Sequence, residues 1–154
     1  MLETELGIFR GTEQTLIPPG AVREAKSRRR SAAKPSILVV DDQQIIADSL
    51  TDILNGSGFR AKAAYSGPEA LQLADALCPD YLLTDVVMPA MNGVQLAIAI
   101  TQKMPATRIV LLSGQAGISD ILQDGRRQGY DFQLIAKPIH PDRLIEHLRE
   151  LGKK

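Results

Sequence analysis

Asp80-Tyr81-Leu82-Leu83-Thr84-Asp85-Val86-Val87-Met88-Pro89-Ala90-Met91-Asn92-Gly93 decides how the chain is read. Tyr81 to Thr84 is a short apolar, β-forming run that reads as a buried strand and ends on one carboxylate, Asp85. Beyond it Pro89 forbids regular continuation, and Asn92 is suited to cap a helix. From Gly93 to Lys103, Val94, Leu96, Ala97 and Ile100 recur near helical spacing. Asp85 is thus expected at the carboxyl end of a strand, where open α/β sheets place their chemistry.

The same grammar repeats on both sides. Ile37-Leu38-Val39-Val40 is a continuous apolar run of the kind that fills a central parallel strand, and it stops at Asp41-Asp42. A helix is predicted over 43–55, with Ile46, Ala47, Leu50, Ile53 and Leu54 on its apolar face. Residues 59–64 alternate Phe59, Ala61 and Ala63 with Arg60 and Lys62, which marks an edge strand. Gly67 to Leu77 is predicted helical, with Pro68 and Glu69 near its start. Ile109-Val110-Leu111-Leu112 is a further strand ending on Ser113-Gly114. A weaker helix follows over 118–127, with Gly125 and Gly129 read as loosening its end. Phe132 to Ala136 forms the last strand, closing on Lys137-Pro138, and a helix starts at Pro141. Cys78 reads as a small residue at a packed turn, and His140 and His147 as surface residues.

Five strands alternating with five helices imply a doubly wound parallel sheet in a three-layer αβα sandwich. Asp41, Asp42, Asp85, Ser113 and Lys137 each follow directly on a strand, so that topology gathers them on one edge. Three converging carboxylates repel one another unless a cation sits among them, and hard oxygen donors of this kind suit Mg²⁺ with several retained waters. Lys137 and the Ser113 hydroxyl add groups able to meet anionic oxygens, so the set describes a phosphoryl-binding pocket with a carboxylate nucleophile.

These residues resemble the receiver domain of two-component response regulators, of the single-domain, chemotaxis-regulator kind. The matching pieces are Leu38-Val39-Val40-Asp41-Asp42, Thr84 to Gly93, Leu112-Ser113-Gly114 and Ala136-Lys137-Pro138, within about 36–151. The resemblance implies a flavodoxin-like sheet of order 2-1-3-4-5. It implies that Asp85 accepts a phosphoryl group from a sensor histidine kinase or histidine phosphotransfer protein. Asp42, Asp85, the Val87 carbonyl and, through water, Asp41 would hold Mg²⁺, while Ser113 and Lys137 would bind the phosphoryl oxygens. The Lys137-Pro138 bond is expected to be cis. Many receivers carry an aromatic residue three positions before the lysine, and this chain departs from that pattern with Leu134. The expected output is switched binding of a downstream protein, or onward relay of the phosphoryl group. Its catalysis is expected to be confined to its own phosphorylation and dephosphorylation. The other readings are a phosphorylation-independent scaffold, against which the full set of five residues argues, and a phosphoaspartate hydrolase, against which Val87 argues.

The chain of 154 residues, 44% hydrophobic and 23% charged, is long enough for one buried domain and a modest appendage. Residues 1–35 hold seven Lys or Arg against four Glu and no sustained apolar period, so a flexible basic arm is expected there, with the receiver domain over 36–154 and no output domain. No apolar run suits a membrane span or signal peptide, which makes a cytoplasmic protein the expectation. Nucleic acid is not an expected partner, since the Arg28-Arg29-Arg30 cluster lacks interleaved aromatics. A monomer or weak dimer is expected.

Overall fold

The computed structural model of the protein describes residues 33–114 and 117–153. The arm expected over 1–35 lies outside them except for its last three residues. Pro35–Lys154 forms one compact unit of ten elements. In chain order they are β1 (Ser36–Val40), α1 (Gln44–Asn55), β2 (Arg60–Ala64), α2 (Gly67–Leu77), β3 (Tyr81–Asp85), α3 (Gly93–Lys103), β4 (Arg108–Ser113), α4 (Ser119–Arg127), β5 (Gln133–Ala136) and α5 (Pro141–Gly152). The strands are all parallel, in the order β2-β1-β3-β4-β5. The expected fold and strand order are both observed.

Alternation along the strands divides the core into two layers. Leu38, Val40, Leu82 and Leu111 face α2 and α3 and bury Ala70, Ala74, Leu96, Ala97 and Ile100. Ile37, Val39, Leu83, Val110 and Leu112 face the other way, against Leu54 of α1 and Leu144, Ile145 and Leu148 of α5. A continuous apolar run such as Ile37 to Val40 is therefore needed, because both faces of β1 are covered. Each fully buried Leu or Ile here contributes about 2 kcal/mol of transfer free energy.

Helix ends are set locally. Ser66 caps α2 by accepting from the Glu69 amide at 3.2 Å, and Asn92 and Gln95 form a reciprocal capping box at the start of α3. Among the described residues no helix is long and apolar enough to cross a membrane.

Four local expectations change. In α1 only Ala47 and Leu54 are buried, while Ile53 is 37% and Ile45 82% exposed, because a short helix on a sheet edge covers less than its full apolar arc. Phe132 precedes β5 and stacks on Tyr130, with ring centroids 5.7 Å apart, since both rings pack against the α3 side of the core. Cys78 is exposed, in a left-handed conformation (φ 44°) that ends α2. Gly125 does not loosen α4: it is the only buried residue of that helix, and a Cβ there would come within 2.8 Å of Val94 Cγ1.

Candidate functional site

The five singled-out residues come together at the carboxyl edge of the sheet. Strand pairing continues past the strand ends and fixes them there: the Asp41 amide donates to the Ala64 carbonyl at 3.2 Å, and the Lys137 amide to the Ser113 carbonyl at 2.8 Å. The Lys137-Pro138 peptide is cis, as expected. Asp41 is buried, Ser113 is buried at the end of β4, Asp85 is half-buried, and Asp42 is exposed toward solvent.

Carboxylate oxygens of Asp41, Asp42 and Asp85 all lie within 4.8 Å of one another. Lys137 Nζ is 2.9 Å from Asp41 Oδ2 and 3.6 Å from Asp85 Oδ1. Asp41 Oδ1 accepts from the Gln43 amide at 2.9 Å, so Asp41 also supports the turn into α1, whose cap residue Gln43 makes no side-chain cap of its own. Burial pushes the Asp85 carboxyl above its ordinary value; Lys137 pulls it down, Asp41 pushes it up, and the Val86 amide, donating at 3.1 Å, pulls it down. Three carboxylates facing one ammonium leave two negative charges uncompensated, so the donor set fits a divalent cation. Two oxygens bound to the same Mg²⁺ are at most about 4.2 Å apart, so a spread of 4.8 Å is matched if water stands between one carboxylate and the ion.

The loop beneath Asp85 is held from three directions. Thr84 Oγ1 donates to the Asp85 carbonyl at 3.0 Å, the Val86 amide also donates to the Leu112 carbonyl at 3.0 Å, and the Gly93 amide donates to the Val86 carbonyl at 2.7 Å. Gly93 lies so close that a Cβ would overlap the Asp85 carbonyl oxygen, which makes glycine a steric requirement. In the sequence Gly93 reads as the start of a helix and the end of the matching piece Thr84 to Gly93, and Val86 has no role of its own. The short Asp85 to Gly93 spacing was the available signal that the loop doubles back on the strand end. Val87 lies two residues after Asp85 in this loop, half-buried against the α2 and α3 side of the core.

A family model, the response regulator receiver domain, matches residues 37–149. The chain is 30% identical over 118 residues to the chemotaxis protein CheY of Thermotoga maritima, covering 76% of this chain and 97% of that protein. It is 34% identical over 113 residues to the DNA-binding response regulator MtrA of Mycobacterium tuberculosis, covering 73% of this chain and 48% of MtrA. The chain thus spans about half the length of the MtrA relatives it matches. Among solved structures it resembles the receiver domain of an HD domain-containing protein from Pseudomonas fluorescens, with TM-score 0.71, 27% identity and coverage of 78% of this chain and 95% of that one. It also resembles CheY4 of Vibrio cholerae, with TM-score 0.68, 28% identity and coverage of 77% and 98%. A match that runs from β1 into α5, on a sheet wound in the expected order, makes the chain a member of the response regulator receiver domain family.

Proposed function

We propose that the protein is a phosphoryl-accepting switch whose acceptor is Asp85. The observation that carries this is the placement of Asp85 beside two further carboxylates and the Lys137 ammonium on the sheet edge. An Asp85 carboxylate oxygen attacks phosphorus of a phosphohistidine on a sensor kinase or histidine phosphotransfer protein. The new P–O bond forms as the P–N bond breaks, and the imidazole leaves with the electron pair and takes up a proton. Water attacking the same phosphorus later releases inorganic phosphate and regenerates the carboxylate.

Asp42, Asp85 and the Val87 carbonyl, with Asp41 through water, are the groups proposed to hold Mg²⁺. The ion, when bound, neutralises charge on the transferring phosphoryl oxygens. Lys137 balances charge at Asp85 and is close enough to turn from Asp41 to a phosphoryl oxygen, while the Ser113 hydroxyl donates to a second one. Asp41 holds Lys137 over the site and ties the start of α1 to it. The reading extends to switched binding of a downstream protein or to phosphoryl relay. DNA binding belongs to MtrA by name, and about half of MtrA lies outside the match, so that property is not carried over.

The direct test is beryllofluoride, a phosphoryl mimic, followed by fluorine NMR. A bound resonance is expected only with Mg²⁺ present and is expected to vanish in Asp85→Asn. A bound signal that survives the substitution refutes the assignment.

A further inference from the structure

The Val86 amide is shared between two acceptors, Asp85 Oδ1 at 3.1 Å and the Leu112 carbonyl on β4 at 3.0 Å. It lies in the same planar peptide unit as the Asp85 carbonyl, so the two move together. That carbonyl is the atom against which Gly93 packs with no room for a Cβ. Val94, the next residue, is buried, and its Cγ1 occupies the space that a Cβ on Gly125 would need. A continuous line of contacts thus runs from the acceptor carboxylate to the single buried residue of α4.

A bond to an ionised carboxylate is roughly twice as strong as one to a neutral acceptor. Converting Asp85 to an acyl phosphate, or to an amide, weakens one branch of the shared bond and favours the Leu112 branch. The peptide plane then tilts. Because its carbonyl abuts Gly93 and Gly93 is bonded to the Val86 carbonyl at 2.7 Å, close packing passes the tilt to the start of α3. The remainder of α4 is weakly held: Ile121 and Leu122 are partly buried, and its other residues are exposed apart from Gly125. Such an element shifts at small cost.

We propose that the chemical state of Asp85 sets the position of α4 through the Asp85–Val86 peptide plane, Gly93 and the contact between Val94 and Gly125. This route stands in for an aromatic relay at position 134, where Leu134 is 41% exposed. It rests on the reading of Asp85 as the group that changes state, but needs neither metal nor phosphoryl group to be examined.

The test is amide hydrogen exchange of the full chain, read over residues 119–127, as the difference between each protein and its Asp85→Asn derivative. The wild-type background is expected to show a clear change in α4 protection. Val94→Ala opens the contact and is expected to cut that change at least threefold. Gly125→Ala, which wedges the helices apart, is also expected to alter it at least threefold. The Val94→Ala/Gly125→Ala pair removes both Val94 methyl groups, Cγ1 among them, and places one methyl group on the Gly125 side of the contact, and it is expected to recover more than half of the change. Gln123→Ala, an exposed residue of the same helix, is expected to keep it within a factor of two. No α4 response to Asp85→Asn, a full response in Val94→Ala, or a double variant no better than the single ones overturns the proposal. Beryllofluoride with Mg²⁺ is the second perturbation. If it gives no response in the wild type while Asp85→Asn does, the phosphoacceptor reading fails and the coupling is upheld.

Discussion

Lys137 sits closer to the buried Asp41 than to Asp85: its ammonium is 2.9 Å from Asp41 Oδ2 and 3.6 Å from Asp85 Oδ1. The tighter partner is the less exposed acid, with Asp41 side-chain exposure at 4% and Asp85 at 14%. Lys137 is therefore first a counter-ion to Asp41 and second to Asp85.

Removing the ammonium leaves Asp41 buried without its cation. Lys137→Ala is expected to destabilise the metal-free protein by about 2–3 kcal/mol, toward the low end for a broken buried pair because Lys137 is partly exposed. Mg²⁺ should restore a measurable part of that loss. Denaturant unfolding with and without Mg²⁺ checks both, and a variant as stable as the wild type would show the pair to be energetically idle.

Burial raises the Asp85 carboxyl above its ordinary value, so the folded state holds that proton more tightly than the unfolded chain does. The contribution of this group to stability is greatest below its unfolded pKa and falls as pH rises through its folded one. At pH 7 the ionised side chain is a cost, and Asp85→Asn is expected to stabilise the metal-free protein by roughly 1 kcal/mol, or about 4 °C in melting temperature. The gap should narrow as the pH is lowered through the titration of Asp85. Melting at or below the wild-type temperature at pH 7 would contradict this.

Any ligand that binds only the folded state stabilises it, by about 1.4 kcal/mol at ten times its dissociation constant. Mg²⁺ is expected to raise the wild-type melting temperature in this way. Asp42→Ala should raise the Mg²⁺ dissociation constant at least tenfold, because Asp42 is proposed as a direct ligand and Asp41 as one acting through water. A Mg²⁺ titration of Asp42→Ala that overlays the wild-type curve would reverse that assignment.

Gly93 admits no side chain, because a Cβ would overlap the backbone oxygen of Asp85. Backbone cannot yield as a flexible side chain does, so Gly93→Ala is expected to cost at least about 3 kcal/mol. Chemical denaturation measures it; a loss below about 1 kcal/mol would mean that the loop has room the contact denies.

Continuous apolar runs mark the central strands, since Ile37 to Val40 is covered on both faces, and each run ends on a residue of the candidate site. Asn92 announced its helix start through a local hydrogen bond that sequence spacing encodes. Other features depended on contacts between distant segments. Gly125 reads as a helix weakness until Val94, 31 positions earlier in the sequence, is found against it. The pairing of Lys137 with Asp41 was equally hidden, because convergence on one edge does not say which carboxylate an ammonium chooses.

Intact-protein mass spectrometry after incubation with acetyl phosphate and Mg²⁺ tests the central claim most directly. The account predicts one added phosphoryl group on the wild type, labile to hydroxylamine as an acyl phosphate is, lost when Mg²⁺ is chelated before the reaction, and absent from Asp85→Asn. Phosphorylation of Asp85→Asn to the wild-type level would contradict it.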